Sequence, residues 1–189
     1  MRASDELRLC WTRDPLLLGR MAVRRYRIFR QRYGDIDYPD TPVQADVTGQ
    51  TCLLLRPDED IVGGIRLNEV DGASVGQLPL VAADGLELPP ALTAEASRIA
   101  RVSELGGLFV NPDNTPRDAG ARLYLAAAQR CAMQGVGLVL LVAPGGNLRL
   151  YRRLAQQVGW KLRLHPEADC EALSRRKGAA LALASLVPR

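Results

Sequence analysis

The sequence has little of what metal sites, disulfide frameworks and hydrolase triads require. Its 189 residues include one histidine, His165, which excludes a histidine-rich metal site. The four cysteines have no paired spacing, so they predict reduced thiols and neither a zinc site nor a disulfide framework. A Ser-His-Asp or Cys-His arrangement would depend on His165 alone, which disfavours that chemistry.

Long apolar runs are also missing. The longest, residues 136–143, has the length of a strand and falls far short of the ~20 residues that span a bilayer. The first residues are acidic and do not form the apolar stretch of a secretory signal. The sequence therefore predicts a cytoplasmic protein without membrane insertion. Hydrophobic residues make up 47% and charged residues 24% of the chain, which is typical of a globular protein.

Positive charge is modest overall but clustered. The formal net charge is +4, and arginines concentrate in residues 24–32, 149–153 and 175–177. Such clusters suit phosphates, acidic carrier proteins or nucleic acid, while each cluster taken singly also fits a solvated helix face. Aromatic residues do not alternate with the basic ones as they do in many nucleic-acid-binding surfaces. We therefore predict no nucleic-acid partner.

The length predicts one domain over residues 1–185. The last four residues, Leu-Val-Pro-Arg, match the remnant of a protease site in a purification tag. We therefore predict that residues 186–189 lie outside the functional domain.

Hydrophobic periodicity predicts a mixed α/β sheet, part antiparallel and part parallel. The predicted helices cover residues 15–33, 118–134 and 146–158. The predicted strands cover residues 52–56, 61–67, 98–102, 107–110, 137–142 and 160–164, and residues 179–184 form either a last strand or a short helix. Arg25 lies on the apolar stripe of the first helix, beside Phe29. Burying this charge requires a partner, since an isolated buried charge is unfavourable.

Residues 108–123 run from a strand through Val-Asn-Pro and a turn into a helix, so backbone N–H groups converge at the helix start. This stretch resembles the acyl-CoA-binding segment of the GNAT superfamily of N-acetyltransferases, and the order of elements extends the resemblance over almost the whole chain. The resemblance implies a GNAT (acyl-CoA N-acyltransferase) fold, with a mixed central sheet flanked by helices. Where the superfamily has a glycine-rich loop, this chain has Thr115, Asp118 and Gly120.

Four further segments occur in a characteristic order. They are residues 25–29 (Arg-Tyr-Arg-Ile-Phe), the acidic residues 37–40, the strand 62–67 and residues 95–98 (Glu-Ala-Ser-Arg). Together they resemble the acyl-homoserine-lactone synthase family and the related N-acyl amino acid synthases. The resemblance runs from about residue 20 to residue 160.

This resemblance implies an amine-substrate pocket and a pair of catalytic residues. The implied pocket residues are Arg25, Phe29, Asp37, Asp40 and Arg66. Glu95 is implied to assist deprotonation of the amine, and Arg98 would hold it ionised by charge pairing. Three-residue spacing turns these two side chains to opposite faces of a regular strand, so their roles require a bulge near Ala96.

The resemblance also implies an acyl-phosphopantetheine donor, carried by an acyl carrier protein or by CoA. The residues that we assign to donor binding are Val110, Gly120, Val142, Arg149 and Arg152. A loop with Asp118 and few glycines favours the carrier protein, and the basic helix after residue 142 suits an acidic carrier surface. The acyl chain would lie where Gly63, Gly64 and the strand over 138–142 leave room.

The implied function is transfer of a fatty acyl group to the amine of S-adenosylmethionine, followed by lactonisation to a quorum-sensing signal. Neither a permanently bound cofactor nor a metal is predicted. Two alternatives stay open. An N-acyl amino acid synthase with another amine acceptor is favoured by Asp35, which stands where the family has a tryptophan. A non-catalytic acyl-binding module is favoured by the altered phosphate loop.

Overall fold

A computed structural model describes residues 7–34, 40–113, 115–177 and 179–189. Within these residues the chain forms seven strands and seven helices, together with a 3-10 segment at Gly72–Gln77. The strands are β1 (Arg8–Thr12), β2 (Gln50–Leu55), β3 (Ile61–Val70), β4 (Val102–Val110), β5 (Leu138–Pro144), β6 (Trp160–Leu164) and β7 (Leu181–Pro188). The helices are α1 (Pro15–Tyr33), α2 (Gln44–Thr48), α3 (Pro79–Ala82), α4 (Pro90–Ala96), α5 (Ala119–Met133), α6 (Gly145–Gln157) and α7 (Glu171–Lys177).

The strands form one seven-stranded sheet in the order β1-β2-β3-β4-β5-β7-β6. Pairing is antiparallel from β1 to β3 and between β7 and its two neighbours. The pair β4–β5 is parallel, and its register joins Val102 to Leu138 and Leu105 to Leu141. The predicted mixed α/β sheet is confirmed.

The chain forms two compact units, each built from two segments. The first contains the described residues up to Leu67 together with Gly107–Ala126. Its core is built from α1, β2, β3 and the end of β4, and includes the buried residues Leu18, Met21, Ile28, Leu53, Leu55, Ile61 and Phe109. The second unit contains Asn68–Gly106 and Ala127–Arg189. Its apolar core draws on β4, β5 and β7 and on the helices α3, α4 and α7.

The first helix is confirmed at both ends. The Asp14 side chain caps α1 by accepting a hydrogen bond of 2.9 Å from the Leu16 amide, and Pro15 occupies the first turn. Gly34 closes the helix with a φ of 79°, a left-handed conformation that glycine adopts without strain. The buried face repeats at helical spacing and includes Arg25, as the sequence predicts.

The region before β4 differs from the prediction. The two short strands predicted over residues 98–102 and 107–110 are one strand, β4, which begins at Val102. Residues 90–96 form helix α4, because Pro90 fits the first turn of a helix and Leu92 and Ala96 provide a buried face. The sequence analysis also missed β1, α2 and α7, which are all short.

Two adjacent glycines of β3 bring the neighbouring elements close together. A Cβ at Gly63 would lie 3.0 Å from the Leu123 side chain, and one at Gly64 would lie 2.7 Å from the Phe109 ring. We expected these glycines to leave space for an acyl chain. That expectation is wrong, because Phe109 and Leu123 already fill the space.

The C-terminal boundary predicted at residue 185 also needs correction. Residues 186–188 belong to β7, where Leu186 pairs with Val139 of β5 and with Leu162 of β6. Leu186 is fully buried and Val187 is 6% exposed. These side chains are part of the folded sheet, because β7 lies between two strands and buries the apolar residues of its C-terminal half. The single-domain assignment itself stays a prediction.

Ending the chain after Ser185 is therefore expected to lower the free energy of unfolding by about 3–6 kcal/mol. Full burial of one leucine or valine side chain contributes roughly 1.5–3 kcal/mol, and two such side chains are lost. Urea unfolding of the truncated and complete chains measures the difference. Removal of Arg189 alone is the control, since it leaves both apolar side chains in place. Equal unfolding midpoints for the truncated and complete chains would show that residues 186–188 are dispensable.

Candidate functional site

Arg25 and Asp46 form a buried ion pair in the first unit. Arg25 projects from the inner face of α1, and Asp46 lies in α2. Arg25 Nη1 donates to Asp46 Oδ1 at 2.9 Å, and Nη2 donates to Oδ2 at 2.6 Å. Arg25 is 1% exposed and Asp46 is fully buried. This is the partner that the stripe position of Arg25 requires, in the two-pronged geometry that suits a guanidinium and a carboxylate.

Arg66 is the third member of the cluster. It lies in β3, its side chain is 9% exposed, and its Nη1 donates to Asp46 Oδ1 at 3.1 Å. The other oxygen of Asp46 also accepts a hydrogen bond of 3.0 Å from the Val43 amide at the start of α2. We call Arg25, Asp46 and Arg66 the buried arginine cluster.

Asp46 is ionised within this cluster. Burial alone would raise its pKa, but the hydrogen bond and charge of Arg25, the charge of Arg66 and the Val43 amide together lower it below its ordinary value. The carboxylate therefore remains charged at neutral pH and holds two guanidinium groups at one place.

Gly107 of β4 faces this cluster. Its φ is 62°, a left-handed conformation inside a strand that favours glycine. A Cβ placed on it would lie 3.6 Å from Arg25 Nη1 and 3.8 Å from Arg66 Nη1, in ordinary contact. Any longer side chain at residue 107 would therefore occupy space beside the two guanidinium groups.

The structure does not bring Glu95 and Arg98 together in the way that we predicted. Glu95 lies in α4, and both of its carboxylate oxygens accept hydrogen bonds from Arg163, at 2.8 and 3.0 Å. Arg98 is exposed in the turn after α4. Neither residue opens β4, so the expected strand bulge at Ala96 does not exist. Their catalytic roles stay predictions, without the expected pairing.

Glu104 is a buried carboxylate that the sequence analysis missed. It lies in β4 and is 3% exposed. Its Oε2 accepts a hydrogen bond of 2.7 Å from the Leu80 amide at the start of α3. An acidic residue between Val102 and Leu105, in a strand otherwise suited to burial, was the available signal. The sequence analysis also did not identify Asp46 and selected Asp37 and Asp40 instead.

The other three residues predicted for the acceptor pocket are Phe29, Asp37 and Asp40. Phe29 is half-buried and packs against the core of the first unit. Asp40 is exposed just before α2. Asp37 lies outside the described residues. The structure therefore brings Arg25 and Arg66 together through Asp46.

Two of the predicted donor residues meet in the first unit, and three lie in the second. A Cβ at Gly120, in the first turn of α5, would lie 3.6 Å from the Val110 side chain at the end of β4. Val142 is half-buried in β5 and packs against the core of the second unit. Arg149 and Arg152 are exposed on α6. Their donor-binding roles stay predictions.

His165 contacts two side chains in an arrangement that superficially resembles a hydrolase triad. Its Nε2 lies 2.9 Å from Ser185 Oγ and its Nδ1 lies 3.3 Å from Glu167 Oε1. Ser185 is fully buried in β7. Among the described residues, His, Cys, Asp and Glu side chains form no group of three that could hold a metal ion.

The sheet and its flanking helices match the fold of solved GNAT-family acetyltransferase structures. The acetyltransferase of the GNAT family from Streptococcus pneumoniae aligns with a TM-score of 0.56 and 11% identity, over 97% of this chain and all of that one. The predicted fold class is confirmed. In the described part of the chain, no helix combines the length and apolarity needed to cross a bilayer.

Two further solved structures come from acyl-transferring enzymes. The acyl-homoserine lactone synthase BjaI, described as CoA-dependent and solved with SAM and isopentyl-CoA, aligns with a TM-score of 0.56 and 19% identity. That alignment covers 92% of this chain and 76% of BjaI. FeeM, an N-acyl amino acid synthase from uncultured soil microbes, aligns with a TM-score of 0.59 and 14% identity over 95% of this chain and 94% of FeeM. No protein-family model and no curated protein matches the sequence.

Proposed function

We propose that this protein is an N-acyltransferase that transfers a fatty acyl group to the amine of S-adenosylmethionine. The amine nitrogen attacks the thioester carbonyl of an acyl-phosphopantetheine donor, the carbon–sulfur bond breaks, and the thiol leaves as the amine loses a proton. The carboxylate of the acylated product then displaces methylthioadenosine and closes the lactone. The likeness in fold to BjaI, which was solved with SAM, supports this acceptor.

The observation that carries the proposal is the buried arginine cluster beside Gly107. One ionised carboxylate holds two buried guanidinium groups in fixed positions. Burying these three charged groups is unfavourable unless their donors and acceptors have hydrogen-bond partners. The amine acceptor carries a carboxylate, and arginine recognises carboxylates through paired N–H donors. Nearby positive charge also disfavours the ammonium form of the acceptor, which must be neutral to attack the thioester.

Gly107→Asn is expected to raise the KM for the amine acceptor about 10–100-fold. Asparagine tolerates the left-handed backbone, but its side chain would fill the space beside Arg25 and Arg66 and displace the acceptor from charge-assisted hydrogen bonds. Steady-state kinetics with the acceptor varied measure this change.

Gly135→Asn is the matched control for that experiment. Gly135 has a φ of 67°, and a Cβ there meets nothing within 4 Å. The substitution therefore introduces similar backbone strain at a position where the new Cβ meets no neighbouring atom. If both variants show the wild-type KM, the acceptor does not bind beside Gly107.

Two donors are compatible with the proposal. The likeness to BjaI supports CoA, whereas Asp118 at the approach to α5 and the exposed Arg149 and Arg152 support an acidic carrier protein. The four cysteines are free thiols, as expected in a reducing compartment, and we include a cytoplasmic location in the proposal.

The second candidate is an N-acyl amino acid synthase, and the likeness in fold to FeeM favours it. Its acceptor also carries an amine and a carboxylate, so the same buried arginine cluster would serve. A non-catalytic acyl-binding module is the remaining alternative.

Product analysis by mass spectrometry separates these functions. The purified protein is incubated with a panel of acyl-CoAs and acyl carrier proteins, first with S-adenosylmethionine and then with free amino acids. Acyl-homoserine lactone together with methylthioadenosine is the expected outcome. An acyl amino acid would instead assign the second function, and binding of acyl donors without any product would assign the non-catalytic one.

A further inference from the structure

A groove of about 330 Å³ lies between the outer face of α1 and the turn that joins β2 to β3. Its volume falls in the range of small-molecule sites, about 300–1,000 Å³. All of its lining residues belong to the first unit, and none belongs to the buried arginine cluster. They are Gly19, Arg20, Val23, Arg24, Arg27, Asp60 and Ile61.

Three arginines line this groove on successive turns of α1. Arg24 is held in place by a hydrogen bond of 3.2 Å from Nε to the Ile61 carbonyl and by an ion pair of 2.9 Å with Asp60. Arg20 donates to the Glu59 carbonyl at 2.8 Å. These contacts fix the planes of the Arg20 and Arg24 guanidinium groups. Because each guanidinium has five N–H donors, other donors remain for a ligand.

The floor of the groove is apolar. A Cβ at Gly19 would meet nothing within 4 Å, so the helix surface is open there. Val23 is 39% exposed beside it. The groove therefore offers an uncharged surface next to the arginines, where an organic group can lie.

The charges of the groove select the kind of anion. Three guanidinium groups and the Asp60 carboxylate leave a formal charge of +2 among the lining residues. A phosphate monoester carries about −1.5 to −2 at neutral pH, and its oxygens match the guanidinium fork. Asp60 repels the successive charges of a long polyanion.

We propose that this groove binds the phosphate monoester of a small organic molecule. The phosphate lies among Arg20, Arg24 and Arg27, and the organic group lies over Gly19 and Val23. This site is separate from the acyl-transfer site and does not depend on the proposed function.

Calorimetric titration of the full chain with adenosine 5′-monophosphate, inorganic phosphate and adenosine tests the proposal. The nucleotide is expected to bind more tightly than inorganic phosphate, and adenosine is expected not to bind. Arg27→Gln is expected to weaken nucleotide binding about tenfold, because it removes a charge-assisted interaction. Gly19→Leu is expected to weaken binding of the nucleotide while leaving that of inorganic phosphate unchanged.

Arg30→Gln is the control, since Arg30 lies on the same helix but does not line the groove. Thermal unfolding of each variant confirms that it is folded, and Arg27→Gln alone decides the result if Gly19→Leu does not fold. The proposal is overturned if the nucleotide does not bind, or if binding is the same in wild type and Arg27→Gln. It is also overturned if an oligonucleotide binds more tightly than the nucleotide, with an affinity that falls steeply as salt rises.

Discussion

Asp46→Asn is expected to lower the free energy of unfolding by about 3–5 kcal/mol, the usual cost of removing one member of a buried ion pair. The substitution keeps the shape of the side chain but leaves two buried guanidinium groups against a neutral amide. Domains of this size have a total stability of about 5–15 kcal/mol, so the loss is a large fraction of it. Urea unfolding monitored by circular dichroism measures the change.

Asp40→Asn provides the matched control because Asp40 is exposed close to the same helix. Its effect is expected to stay within about 0.5 kcal/mol, as for most surface substitutions. The double variant Arg25→Gln/Asp46→Asn is expected to be less unstable than the sum of its single variants. Full additivity would mean that the two side chains do not interact, which would contradict the bonds of 2.6 and 2.9 Å between them.

The stabilising effect of Asp46 is also expected to depend on pH. Its pKa in the folded state lies below its ordinary value, so the folded state binds this proton less readily than the unfolded state. The stabilisation is therefore complete above the unfolded pKa of about 3.9 and declines as pH falls through the folded pKa. The difference between wild type and Asp46→Asn is thus expected to be constant from neutral pH to about pH 5 and to narrow below about pH 4. If the stability difference between wild type and Asp46→Asn instead narrows as the pH is raised, the pH dependence belongs to another group.

Glu104→Gln is expected to reduce kcat about 10²–10⁴-fold, the range attributed to a general base. Glu104 is the buried carboxylate on β4, and the loss is expected if this carboxylate accepts the proton released by the amine. The resemblance to acyl-homoserine-lactone synthases implies a glutamate on the fourth strand, and in the structure Glu95 does not lie on that strand. Glutamine keeps an oxygen to accept the hydrogen bond from the Leu80 amide, so the local structure is expected to persist.

Glu95→Gln is the companion variant. Glu95 is 35% exposed and paired with Arg163, and its replacement tests the proton-accepting role that the sequence motif implies. Single-turnover kinetics, with thermal unfolding to confirm folding, measure both variants. If Glu95→Gln loses activity and Glu104→Gln does not, the proton-accepting role belongs to Glu95, as the motif in the sequence first implied.

Local signals in the sequence predicted much of the fold. Helix α1 carries its own start and stop signals in Asp14, Pro15 and Gly34, and β6 is found at residues 160–164 as predicted. The elements that the sequence analysis missed have sequences that favour helix or strand only weakly. Residues 90–96 form a helix that begins with a proline and buries two side chains. These features do not produce a strong periodic pattern in the sequence.

The site was predicted in part for a similar reason. Arg25 could be identified because a charge on an apolar stripe is visible in one helix. Its partner could not, since the chain offers several aspartates before β2 and only packing selects Asp46. Gly107 carries no local signal for its proximity to Arg25 and Arg66, because that proximity depends on the pairing of distant strands.

One incubation tests acyl transfer most directly. The wild-type protein is mixed with an acyl-CoA, an acyl carrier protein bearing a different acyl chain, S-adenosylmethionine and the free amino acids, and all products are identified by mass spectrometry. We predict an N-acylated product with the acyl chain of one donor, formed together with methylthioadenosine. Folded protein that leaves both donors and every amine unchanged would contradict the assignment of acyltransferase activity.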